Sequence, residues 1–425
     1  MKALFFLRHY NDIDHVTPVV YKWVEAGHQA DVVIMGSRSS LEDYRVAFLG
    51  TKEAVDVAWI GDIVGRGKHL RMGLQKLQRN RYFRGMVPSP FRPMLDRIIG
   101  EDRRRSFWKS IGDILIKRSF GDSRRDTSVK GLVAFDWISG NSVFPIEFVE
   151  CTVEAARERG LGAISLPHGD SPHASYMVRR EELDMAPRQK FEPARMFDTV
   201  VVPNELCAVR FRPFMDNERV AVLGSPRYCD EWLDKLETLL PASPLTPRGD
   251  SFKLVMFSRK EDFSIFWDEV ARAVQIWAAF PKVELIIKSH TRGGWRQPLS
   301  RKLDLRKLSN VRFVAGEVHS SHLLDWADAV VDIATSVAFE AVKRRLPVLA
   351  ADYLQASRST IGLHLPECVL TCRDDAYLKL ERLIETSGRD FYDEQHRARF
   401  LREVIDVPDP DVLPRYVAKM EMLAQ

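Results

Sequence analysis

Asp136 and His168 each close a strongly apolar run, Gly131–Trp137 (GLVAFDW) and Gly162–Leu166, the second leading into Pro167-His168-Gly169-Asp170. At the carboxyl ends of two successive parallel strands, an acid and an imidazole would lie roughly 5–10 Å apart, near enough to flank one reacting atom. Acid–base or nucleophilic chemistry on a small substrate is what such a pair can do. Taken singly, each would be an ordinary loop residue. Asp12 and Asp62, which follow the runs Lys2–Arg8 and Asp56–Ile60, are expected at the same edge. A second group lies in the other half of the chain: Ser258-Arg259 after Phe252–Phe257, Lys288-Ser289-His290 after Val283–Ile287, and Thr335-Ser336 after Ala329–Ile333. Thr335 and Ser336 fall where a helix over Val337–Arg345 must begin. Unpaired N–H groups and positive dipole at that point suit an anionic group, most often a phosphate. The plain alternative is a strand–turn–helix unit whose serine is only a cap.

The elements that must position these residues alternate between short apolar runs and stretches of helical spacing, which reads as α/β with doubly wound sheets. At 425 residues the chain is too long for one ordinary core. The Pro-rich stretch Pro241–Asp250 reads as a linker. Residues 1–240 are then an N-terminal Rossmann-like domain, 251–407 a C-terminal one, and the two face a cleft. Residues 408–425 contain a helix, Val412–Leu423, expected to return to the first domain.

The segment 66–130 differs in character. Its cations outnumber its acids about three to one, and Tyr82, Phe83, Phe91, Phe107 and Trp108 are interleaved with them. It reads as a basic helical insertion in the first domain, suited to an anionic membrane surface or an anionic acceptor. The alternative is a solvated helical face. No nucleic-acid signature accompanies it, so no nucleic-acid partner is expected. The five cysteines are scattered, and Cys368 and Cys372 lack the partners of a zinc site, which reads as reduced thiols. Ala3–Leu7 stops at Arg8 and does not read as a secretory signal, and no apolar run approaches the ~20 residues needed to span a bilayer. A cytoplasmic protein with peripheral contact at the inner membrane is the expectation.

The order of these motifs (the His168-Gly169 loop, Gly224-Ser225-Pro226-Arg227, the linker, Ser258-Arg259, Lys288-Ser289-His290-Thr291, then Asp332 to Ala341) resembles that of bacterial GT-B glycosyltransferases of surface-polysaccharide synthesis. It is most similar to enzymes using CMP-activated sugars, the sialyltransferase-like and retaining Kdo transferases. Those carry a K-x-H-P element and a paired Ser/Thr motif; here Thr291 stands for the Pro and Thr335-Ser336 for the pair. CDP-glycerol transferases share much of the order, and UDP-sugar 2-epimerases share the G-x-P-R element.

The resemblance implies a nucleotide-sugar donor, a glycan or glycolipid acceptor in capsule or lipopolysaccharide synthesis, and no resident cofactor or metal. It implies that Ser258, Arg259, Lys288, His290, Thr335 and Ser336 hold the donor phosphate and that Glu340 accepts ribose hydroxyls. It further implies Asp136 as nucleophile of a double displacement, His168 beside it, and Asp62 as acid/base. The competing roles are inverting catalysis with Asp136 or His168 as general base, a 2-epimerase, a glycerophosphotransferase, or a non-catalytic module that binds anionic glycan.

Overall fold

A computed structural model describes residues 1–8, 10–79, 101–122, 130–138, 145–169, 189–246, 249–259, 265–290, 296–314, 318–333, 335–356 and 359–425. The chain divides into two compact units. The first takes in Met1–His168, Arg188–Leu240 and Asp409–Gln425, and the second has Pro241–Pro408 as its main segment.

The first unit is built on seven parallel strands: β1 Lys2–Leu7, β2 Gln29–Ile34, β3 Val55–Trp59, β4 Gly131–Asp136, β5 Gly162–Leu166, β6 Thr199–Val202 and β7 Val220–Val222. Their order in the sheet is β3-β2-β1-β4-β5-β6-β7. β1 shows why the runs are apolar throughout. Leu4 and Phe6 enter the core on one face, whereas Ala3, Phe5 and Leu7 enter the core on the other, as a strand covered on both faces requires.

Helices α1 (Tyr10–Glu25), α2 (Ile60–Val64), α3 (Arg66–Arg79), α4 (Glu101–Phe120) and α5 (Ile146–Arg157) follow in sequence. The C-terminal helix Val412–Leu423 also belongs to this unit, where Tyr416 Oη donates to the Gly224 carbonyl at 2.8 Å.

Two expectations change here. The sequence reads as a helix over Thr17–Ala26, but α1 begins at Tyr10 and carries Pro18 in its interior. Asp12 is therefore in the first turn of a helix, not in a loop. The segment 66–130 is helical where described, but α4 is not an appended basic arm. Phe107, Trp108, Ile111, Leu115, Ile116 and Phe120 are buried in the core on one face of the sheet. Its cations are largely taken by neighbours: Arg104 meets Glu147 at 2.9 Å, Arg105 meets Glu154 at 2.5 Å and Lys109 meets Glu158 at 3.4 Å, all across to α5 or its end. Tyr82, Phe83 and Phe91 lie outside the described residues.

The second unit has five parallel strands: β8 Phe252–Phe257, β9 Val283–Lys288, β10 Val311–Val314, β11 Ala329–Asp332 and β12 Val348–Ala350. They are ordered β10-β9-β8-β11-β12. Its helices include α6 (Trp267–Ala278), α7 (Ser320–Trp326) and α8 (Val337–Lys343). Each sheet thus repeats one local order, in which the chain runs outward over three strands and then restarts on the other side of the first. The reversal falls between β1 and β4 in one sheet and between β8 and β11 in the other, and at such points in open parallel sheets side chains from both strand ends converge. All five cysteines are unbonded, and only Cys372 is exposed. Among the described residues no helix is long and apolar enough to cross a membrane.

Candidate active site

At the reversal in the first sheet, Arg8 follows β1, Asp136 ends β4 and His168 follows β5. Asp12 reaches back from the first turn of α1: its Oδ2 accepts from the Arg8 backbone N–H at 2.7 Å and from Arg8 Nε at 2.9 Å. The Arg8 guanidinium also pairs with Asp136. His168 Nδ1 lies 2.8 Å from Asp136 Oδ2 and 3.2 Å from Asp12 Oδ1. On the other side of the ring, Asn11 Nδ2 is 3.3 Å from His168 Nε2. Both carboxylates are fully buried, whereas the His168 side chain is 28% exposed.

This geometry fixes the ring. Two carboxylates within 3.2 Å of Nδ1 favour the proton there over the Arg8 Nη2 contact to the same atom at 3.5 Å, and this leaves the Nε2 lone pair as the acceptor facing Asn11. His168 is therefore the outward member, with Asp136 behind it. Neither Asp136 oxygen makes a hydrogen bond among the described residues, and Oδ2 meets Arg8 and His168 as ion-pair contacts.

Gly36 keeps Arg8 in place, since a Cβ there would stand 1.7 Å from the Arg8 carbonyl oxygen. Beneath the cluster, Arg227 of the Gly-Ser-Pro-Arg motif meets Asp14 at 3.1 Å, and Asp14 also pairs with Arg45. His15 is buried beside them, and burial first, then the Arg227 charge, pushes its pKa well below the usual histidine range. Asp12, Asp136 and His168 together could ligate a divalent cation, but Arg8 lies on both carboxylates and supplies the positive charge a metal would bring.

The structure places Asp136 beside His168, as expected of successive strand ends, and adds Arg8, Asn11 and the first-turn position of Asp12, which the sequence reading does not include. Asp62 stands apart from them, in α2, exposed and 3.3 Å from Arg38. Nothing in the geometry joins it to the His168 cluster. Asp170 and the rest of that loop lie outside the described residues.

The second sheet brings its candidates to one edge. Phe257, Lys288 and Asp332 are level in the strand register, so Ser258, Arg259, His290 and Thr335 all follow adjacent strand ends. Thr335 donates to Asp332 Oδ1 from both its N–H and its hydroxyl, each at 2.7 Å. Asp332 is fully buried, and burial outweighs those two bonds and the Arg259 charge, raising its pKa to about 6. Its Oδ2 has no hydrogen-bond partner among the described residues.

Two expectations are revised. Ser336 has helical backbone angles and makes no capping bond, and α8 is only seven residues long, so its dipole is weak. Glu340 is buried, with Ser321 Oγ at 3.0 Å and Arg344 at 2.7 Å. Its carboxylate is occupied by the fold, not offered to a ribose. Lys288 is likewise buried.

No protein-family model matches the sequence, and no curated protein matches it. Solved structures do resemble it. The UDP-GlcNAc 2-epimerase from Neisseria meningitidis, bound to UDP-GlcNAc, superposes with a TM-score of 0.57 at 12% identity, over 100% of this chain and 99% of that one. The UDP-N-acetylglucosamine 2-epimerase from Rickettsia bellii gives 0.55 at 13% identity, over 100% and 95%. The kitacinnamycin glycotransferase gives 0.50 at 12% identity, over 99% and 98%. The chain has a GT-B-like fold. Within that fold, the His168 cluster sits in the first nucleotide-fold unit and the Asp332 edge in the second.

Proposed function

We propose that the protein is an enzyme acting on a nucleotide-activated sugar, and that its reaction is glycosyl transfer with His168 as general base. The observation that carries this is the His168 ring, anchored through Nδ1 by two buried carboxylates with Nε2 directed away from them. In the proposed step Nε2 takes the proton of an acceptor hydroxyl as that oxygen bonds to the anomeric carbon. The bond from that carbon to the donor phosphate breaks, and its electron pair leaves with the nucleotide. Asp136 and Asp12 stabilise the imidazolium that forms, as a buried carboxylate behind a catalytic histidine does. Asp136 is too enclosed to attack the sugar itself, which favours inversion over double displacement.

The second unit takes the nucleotide in this reading, with Ser258, Arg259 and His290 at its phosphate edge and Thr335 holding the loop beside them through Asp332. A CMP-linked ulosonate is the finer donor assignment and rests on the motif order. The UDP named for the solved epimerases is its rival, and a glycan or glycolipid is the acceptor. A second reading, sugar 2-epimerisation, is favoured by one observation: two carboxylates and a histidine share one site, as proton removal and return at a sugar carbon needs.

Proton and phosphorus NMR in deuterated buffer, with CMP-Kdo, CMP-sialate and UDP-GlcNAc offered in turn, separates these. Nucleotide release with an otherwise intact sugar, falling about 100-fold or more in His168→Ala and in Asp136→Asn, supports transfer. Deuterium entering C2 of UDP-GlcNAc supports epimerisation. A wild-type protein that binds UDP-GlcNAc, by thermal shift, yet exchanges no deuterium overturns epimerisation, and one that binds a donor yet releases no nucleotide with a glycan or glycolipid acceptor present overturns transfer.

A further inference from the structure

Helix α3 turns part of its apolar side away from the core. Met72 is buried, and His69 packs on Trp59 with ring centroids 4.5 Å apart, so that side faces the fold. Leu70 and Leu74, one turn apart, are 67% and 48% exposed. Cations stand on both flanks of this pair. On one side Arg66 lines a depression with Trp59, His69, Leu70 and the Arg38–Asp62 pair. On the other, a pocket of about 720 Å³ opens between α3 and α4, lined by Lys68, Arg71, Arg103, Ser106, Phe107 and Ser110, with no carboxylate among the described lining residues. The Arg71 guanidinium lies 4.5 Å from the Phe107 ring centroid. Unlike Arg104, Arg105 and Lys109 of α4, neither Lys68 nor Arg71 has an acidic partner among the described residues.

We propose that α3 is a docking helix for an anionic membrane surface, with Leu70 and Leu74 entering the interface and a lipid phosphate seated between Lys68 and Arg71. Two facts together select this occupant. Lys68 and Arg71, with no acidic partner among the described residues, and the hydroxyls of Ser106 and Ser110 around the same pocket complement a phosphate. Outward leucines beside them gain only from an apolar phase, which a dissolved anion or a nucleic acid does not offer. The inference rests on α3 and its neighbours alone and stands whichever reaction His168 performs.

Flotation of the full-length protein with phosphatidylcholine vesicles, with and without phosphatidylglycerol, tests it. The expected result is binding to the anionic vesicles only, weakening as sodium chloride is raised. Leu70→Ala with Leu74→Ala weakens that binding by about tenfold, and Lys68→Gln with Arg71→Gln does so comparably. All four side chains lie at the surface or at a pocket wall, and an unchanged thermal transition confirms that the variants fold. Equal binding to neutral vesicles, or a leucine variant that floats like the wild type, overturns the proposal.

Discussion

Replacing Asp332 by Asn should stabilise the second unit at neutral pH and remove a pH dependence that the wild type shows. Asp332 is fully buried, and its pKa is raised from 3.8 to about 6. Between those values the folded state holds a proton that the unfolded chain has released, so stability falls as pH rises through this window and levels off above it. A shift of about two units corresponds to about 3 kcal/mol. The Asn side chain keeps an oxygen for the two Thr335 donors and puts an uncharged amide where Oδ2 now has no partner. The gain at pH 7.5 should therefore approach about 3 kcal/mol, or roughly 6–12 °C in the transition of a unit this size. Calorimetry from pH 4.5 to 7.5, resolving the transitions of the two units, reads it directly. If Asp332→Asn lowers the second transition at pH 7.5, or leaves its fall with pH intact, the burial argument is wrong.

Other outcomes follow from the first unit. Gly36→Ala forces a Cβ against the Arg8 carbonyl and should lower the first transition by about 2 kcal/mol in denaturant titrations, with activity lost in step as Arg8 shifts. His15 is held neutral by burial and Arg227, so the first unit should lose stability as pH falls below the unfolded histidine value near 6.5. His15→Gln should flatten that acid limb in the same calorimetric series. Trp108→Ala should cost about 3–5 kcal/mol, because α4 covers the sheet; a cost near zero would make α4 an appendage after all.

The central strands were legible because they are buried on both faces, so that runs such as Phe252–Phe257 and Gly162–Leu166 coincide with the observed elements. His168 and Asp136 were legible for the same reason, as polar residues that end such runs. Arg8 was not, because a cation after an apolar run reads only as the end of that run. Its spacing of four from Asp12 was the available signal, since that is the i,i+4 distance of one helical turn, but the helix was expected to begin past it, at Thr17. The α4 cations misled in the opposite direction. A charge count along 66–130 cannot see that Glu147, Glu154 and Glu158, distant in sequence, pair with Arg104, Arg105 and Lys109. In the second unit, Asp332-Ile-Ala-Thr335 has the spacing of a local side-chain-to-backbone turn, and reading it so would have shown that Thr335 holds the loop. The Glu340 pairing with Ser321 depends on where α7 packs, which the local sequence does not state.

The account depends most on the proton carried by His168, and nitrogen-15 NMR of the imidazole rings measures it without any substrate. The signal assigned to His168 by its loss in His168→Gln should show, in the neutral ring, a protonated Nδ1 and a bare Nε2, and Asp136→Asn should disturb that pattern. A neutral His168 protonated on Nε2, or one indifferent to Asp136→Asn, would contradict the account, because the nitrogen said to accept the proton would already hold one.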